Sequence, residues 1–303
     1  MYQNVSENER KEISKLAGLL KGFTVVAGDM WEHKKNSSTI LKTDLASLLL
    51  FRQILEMGDA INELIQVGCI NASKALVRSL LEYYFQLKYL LNEEKERKAL
   101  QFLYHYEMRL KEYYENLAMP EKGGSYFEKL KNDKHLKNDD ISEEQKKVYK
   151  ENVKKIETTL NGEDNKEIAK EYIRIQEKKK NPNTGKKGKV SYWYELYDGP
   201  TSIEGISIKL KEAALYQFIY RSCSSYSHGE DIVHANLESN DETTYKVSPL
   251  RDLRQLSIVG NNILLLIELS CMLFLSKMID DKKPFAEKLL PFMNKKKEYA
   301  AQK

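Results

Sequence analysis

The sequence predicts an all-α protein: a multi-helix bundle of long antiparallel helices with a lysine-rich helical and loop insertion. Three observations carry this. Glycine and proline are scarce, 14 and 6 among 303 residues, so few positions interrupt regular structure. Charged residues make up 31% and hydrophobic residues 41% of the chain, a mixture that amphipathic helices accommodate by giving each class its own face. Apolar residues also recur at helical spacing over long stretches.

The elements follow in order. Asp44 to Val67, DLASLLLFRQILEMGDAINELIQV, has the helical repeat and ends at Gly68, a favoured stop. Asn71 is placed to cap a second long helix, ASKALVRSLLEYYFQLKYLL. The two make an antiparallel hairpin whose apolar positions, Leu76, Leu80, Tyr83, Leu87 and Leu90, need burial. A third helix over Lys95–Leu117 carries Phe102, Tyr106, Arg109 and Tyr113 along one side. From Pro120 to about Gly188 the chain turns polar and lysine-rich, with short helices expected near Glu143–Leu160 and Lys166–Lys179. The stretch EKKKNPNTGKKGK reads as a mobile loop turning at Asn181–Gly185. Its lysines offer contacts to a polyanion or form an ordinary solvated surface.

After a turn at Asp198, Gly199 and Pro200, Thr201 and Glu204 match a capping box. Helices then run through Tyr216 and Tyr220 to a polar segment that Gly229 can end. Arg251–Ile279 is expected as the final long helix, with KKKEYAAQK a frayed basic tail. Residues 1–119 and 189–303 are thus expected to form one helical core domain, with 120–188 a polar insertion. No internal repeat suggests a solenoid.

The same residues bound the function. A net charge of +4, from 49 basic and 45 acidic residues, is by itself a weak argument for nucleic acid. Cys69, Cys223 and Cys271 show no metal-ligand spacing, so a reducing cytoplasm and no structural metal are expected. MYQNVSENERKEISKL is too polar for the apolar core of a signal peptide. Ser257–Ile279 approaches spanning length, but Asn261, Asn262 and Glu268 favour a buried core helix over a membrane span. The expectation is a cytoplasmic protein with no membrane partner. No P-loop, GxGxxG or GxSxG is present.

YRSCSSYSHGE, Tyr220–Glu230, raises the functional question. Seven helical positions complete nearly two turns, so Arg221, Ser224 or Ser225, and His228 share one side and can converge on an anion. That suits phosphodiester chemistry in RNA. A guanidinium holds a phosphate in two hydrogen bonds, and an imidazole moves the proton of the 2′-hydroxyl or the leaving oxygen without a cofactor. A structural reading stands beside it: Arg221 pairs with a core carboxylate, the serines permit close packing, and His228 bonds near a helix end. Arg78 and Glu82, spaced i,i+4, either pair locally or orient Arg221 or His228. His33, His105, His135 and His234 read as surface or packing residues, and Trp193 with Tyr192, Tyr194 and Tyr197 as core anchors.

RSLLEYYFQLKYLL, SYWYELYDGPTSIEGI and YQFIYRSCSSYSHG, in that order, resemble bacterial helical proteins of domain-of-unknown-function family 5677, a likeness spanning roughly Leu41–Leu275. More loosely, Arg221–His228 resembles the R-x(4–6)-H motif of the HEPN superfamily (higher eukaryotes and prokaryotes nucleotide-binding), which includes metal-independent ribonucleases of toxin–antitoxin and phage-defence systems. That resemblance implies a homodimer with two facing motifs, RNA as substrate, and an antitoxin or defence-system partner. It implies Arg221 on the scissile phosphate and His228 as acid or base, with Ser225 and Tyr226 lining the cleft and Arg78 and Glu82 supporting it. Ser222 departs from the Asn, Asp or His usual after the arginine. The competing expectation is a non-catalytic helical binding or regulatory subunit.

Overall fold

The computed structural model describes residues 5–37, 40–118, 142–228, 237–239, 245–247, 251 and 253–301. They form an all-α, multi-helix protein with one short antiparallel hairpin, β1 (Leu237–Ser239) and β2 (Tyr245–Val247). Contacts gather the chain into two compact units, one of Met1–Lys95 with Ser202–Lys303, the other of Glu96–Thr201.

The first unit opens with α1 (Glu7–Lys35), started by a capping box in which Ser6 and Glu9 satisfy each other's backbone N–H groups. This long helix was not expected from the sequence. Its apolar stripe, including Leu16, Leu20, Phe23, Ala27 and Met30, is buried. Next come α2 (Lys42–Gln66) and α3 (Ile70–Leu91), the predicted hairpin and the most extensive helix pairing in the structure. Gly68, at φ +73°, makes the left-handed turn between them. Cys69 then bonds back to the Leu64 carbonyl while its own carbonyl accepts from Ser73, so α3 starts directly at Ile70. Asn71 is therefore a first-turn residue and Cys69 the N-cap, which corrects the expected cap.

Later in the same unit come two shorter helices, α7 (Ile203–Lys209) and α8 (Arg221–His228), and then the apolar segment, which forms α9 (Leu256–Met278). This helix is long and apolar enough to cross a membrane, and 56% of its most apolar window is buried inside the protein. It packs on α1, α2 and α3, with Phe51 and Phe274 stacked 3.9 Å apart. Close approach to α1 depends on Gly260, where a Cβ would lie 2.5 Å from Leu16. Arg251 and residues 253–255 precede this helix rather than belong to it. Nor is it the last one: α10 (Lys283–Ala301) absorbs the expected basic tail. Tyr299 is only 5% exposed, and Lys296 reaches back to pair with Glu268 on α9. The lysines hid an inward face made by Phe285, Leu289 and Tyr299.

The second unit contains α4 (Lys95–Ala118), α5 (Glu143–Leu160) and α6 (Lys166–Lys178), matching the expected helices within one residue. Tyr104, Ile156, Leu160, Ile168, Tyr172, Ile175, Val190 and Leu196 are its core. Trp193 and Tyr194 are buried as expected, while Tyr192 is exposed. Tyr197 and Asp198 both have left-handed backbones, φ 58° and 53°. Glu171 stabilises this strained turn by accepting the Tyr197 N–H at 2.6 Å, while Arg174 binds Glu171 with two nitrogens and also reaches Asp198 at 3.0 Å. The capping residue of the following helix is Ser202 rather than Thr201. It accepts from the Gly205 N–H at 3.0 Å, and Glu204 stands one position too early to complete a box.

Candidate functional site

The polar segment is reached through α7, a left-handed Lys211 at φ 59°, and one α-helical turn at Ala213–Leu215. Glu212 fixes the turn by accepting from the Tyr84 hydroxyl at 3.0 Å and from Lys88 at 2.5 Å. Then the hydrogen-bond pattern widens into a π-helical turn, Tyr216–Tyr220, running directly into α8. Such π turns recur at functional sites because the extra residue re-aims the side chains that follow. No feature of the sequence announced it.

Cys223 and Ile219 are buried and anchor the segment, with α8 packed on α3. Burial pushes the Cys223 thiol up, which keeps it protonated and unreactive. The opposite side is open. Arg221 is exposed, and its Nη1 donates to the Gln217 amide oxygen at 3.2 Å. Among the described residues it meets no carboxylate. Ser222 turns its hydroxyl onto the Phe218 and Ile219 carbonyls at 2.8 and 2.9 Å. Ser224 is half-buried. Ser225, Tyr226 and His228 lie on the same unbroken helix, and their side chains fall outside the described residues.

Arg78 and Glu82 pair at 3.1 Å across one turn of α3, and both meet Tyr220. Arg78 Nη2 donates to the Tyr220 hydroxyl at 2.6 Å, which itself donates to Glu82 Oε1 at 2.9 Å. The guanidinium lies 4.7 Å from the Tyr220 ring centre, and the Tyr216 ring stacks on that of Tyr220 at 4.8 Å. Burial raises the Tyr220 pKa, so the phenol stays protonated and keeps donating. The pair thus fixes the residue before Arg221 instead of touching Arg221. Tyr216, Gln217 and Tyr220 are the contacts the sequence did not reveal; Tyr216 and Tyr220, four apart, were the available signal. Beside them Phe218 is 79% exposed.

The remaining histidines stand apart. His33 is exposed, edge-on to Phe285. His105 is half-buried in the second unit, and burial, helped by nearby Arg109 and Lys189 and opposed by Glu112, pushes it down to about 4. His135, His234 and the expected helix stop Gly229 lie outside the described residues.

Comparison with known protein families matches the chain to the Family of unknown function (DUF5677) over residues 44–244. That interval includes all but the first two residues of α2, together with α3, the second unit and the Arg221–His228 helix. No curated protein and no solved structure matches the chain.

Proposed function

This chain belongs to the family of unknown function DUF5677, and from that premise we propose that it is a HEPN-like, metal-independent ribonuclease built on Arg221 and His228. The observation that carries the reading is an exposed Arg221, uncommitted to any carboxylate among the described residues, on one unbroken helix with His228. Seven positions along an α-helix return to the same face about 10.5 Å further on, a separation that one RNA backbone can bridge. Arg221 holds the non-bridging phosphate oxygens. His228 takes the 2′-hydroxyl proton as that oxygen attacks phosphorus, or protonates the departing 5′-oxygen, leaving a 2′,3′-cyclic phosphate. In a dimer, a second copy supplies the complementary histidine. Exposed Phe218 offers a stacking face for a base beside the bound phosphate. The Arg78–Glu82–Tyr220 triangle holds the start of the helix in register.

The test is cleavage of end-labelled total RNA by wild-type and His228→Ala protein in EDTA, with product ends mapped. The expected result is cyclic phosphate ends from the wild type alone. Inert wild-type protein, with or without divalent metal, returns the surface to a non-catalytic binding role.

A further inference from the structure

The first unit has a second open surface, away from the Arg/His helix. The first half of α1, the end of α2 and the segment before α9 enclose a cleft of about 810 Å³, within the size range of small-molecule sites. Arg10, Ile13, Ser14, Ala17, Gly18 and Lys21 line it from a single stripe of α1. Arg251 stands on the facing wall, held by donation to the Val67 carbonyl. Among the described residues no Asp or Glu lines the cleft, and neither Arg10 nor Lys21 has a carboxylate partner. Two cations without a counter-charge, faced by a third basic side chain, make a positive basin.

Two further features belong to the cleft wall. Asn62, only 3% exposed, lines the cleft, and its Oδ1 accepts no hydrogen bond. A buried amide oxygen left unpaired is costly, and a donor on a ligand removes that cost. Gly18 sits mid-helix, where glycine is a poor choice compared with alanine. A Cβ placed there would meet nothing within 4 Å, because the residue faces the open space. Ile13 and Leu253 add apolar wall to the same cleft.

We propose that this cleft binds a small organic anion with an apolar body and an N–H or O–H donor, its acidic group held by Arg10, Lys21 and Arg251 and its donor by Asn62. The inference is independent of the nuclease reading, since it uses none of the residues of that site and its test does not measure cleavage.

Anilinonaphthalene sulfonate has this chemistry: a sulfonate, an aromatic body and one N–H. Titrated into the folded full-length protein, it is expected to give saturable one-site fluorescence. Gly18→Leu, which fills the cleft, and Arg10→Glu, which reverses a rim charge, should each weaken binding about tenfold. The uncharged analogue N-phenylnaphthylamine should bind about tenfold more weakly than the sulfonate. Circular dichroism checks that both variants remain folded. Arg10 is exposed, and the side chain introduced by Gly18→Leu would enter empty space, so each variant tests the site if the other fails. Absence of saturable binding, equal binding by both variants and wild type, or equal affinity for the uncharged analogue would each overturn the proposal.

Discussion

The lysine-rich stretch and the Arg/His helix both hold basic residues near a turn, and they treat charge differently. In the lysine-rich stretch most of the cations are occupied: Lys178 bonds Asp198 at 2.9 Å, Lys187 bonds Glu177 at 2.8 Å and Lys189 bonds Glu112 at 2.8 Å. Lys179 pairs with Glu195, whose side chain is almost fully buried. On the Arg/His helix there are fewer cations, but among the described residues Arg221 meets only an amide. A polyanion gains counterion release from charges that are available, so a run of lysines says less about phosphate binding than one uncommitted arginine.

The largest expected effect comes from Arg221→Ala. Its one bond among the described residues is an exposed contact to Gln217, so removal should change folding stability by less than about 0.5 kcal/mol. Cleavage of RNA should fall roughly 10²–10⁴-fold. Parallel melting curves and single-turnover cleavage rates decide the matter. A large loss of stability with cleavage intact would make Arg221 a structural residue.

Much of this contrast was legible beforehand. Helical spacing placed α2, α3, α4, α5 and α6 within a few residues, because each buries a regular apolar stripe. The stripes of α1 and α10 do not stand out in the sequence, because lysines and glutamates are as frequent as the inward residues in α1 and outnumber them in α10. Gly22 shows the hidden information: a Cβ there would lie 2.1 Å from Phe292, far along the chain, so the glycine records a tertiary contact rather than a turn. At the site, the Arg/His spacing could be read directly. The Arg78–Tyr220–Glu82 triangle could not, since it joins residues more than a hundred positions apart.

A second substitution attacks the occupied side of the comparison. Glu171 is buried, receives two nitrogens of Arg174 and one backbone N–H, and through Arg174 its carboxyl is held below the usual carboxylate range. Glu171→Ala leaves the strained Tyr197–Asp198 turn without its acceptor and should cost about 2–4 kcal/mol in thermal or urea unfolding. RNA cleavage at permissive temperature should be unchanged. Lost cleavage in folded protein would tie this turn to the reaction.

His105 tests the same unit by pH. Its folded pKa is depressed to about 4 from an ordinary 6.5, so between those values the unfolded chain binds a proton that the folded chain refuses. The stability gained by keeping it neutral is complete above pH 6.5 and lost as pH falls toward 4. The loss should be about 1–3 kcal/mol, allowing for partial exposure. His105→Leu should flatten the melting temperature across this window. Glu171 does not mimic the effect, because its lowered pKa moves its own loss to more acidic solution.

The smallest effect is expected at Lys186→Gln with Lys187→Gln. These residues flank the turn closed by Asn181 and Gly185, where Gly185 takes φ +66° and the Asn181 side chain accepts two backbone N–H groups. Lys187 is paired with Glu177, while Lys186 enters the turn through its carbonyl. An exposed ion pair contributes about 0–1 kcal/mol, so the fold should tolerate the loss. If the lysine-rich turn is a solvated surface, RNA affinity should change by less than about twofold and its salt dependence should keep the same slope. A slope reduced by one or two phosphate contacts would show that RNA displaces Glu177 from Lys187, making ion pairing within the folded chain a competitor for RNA.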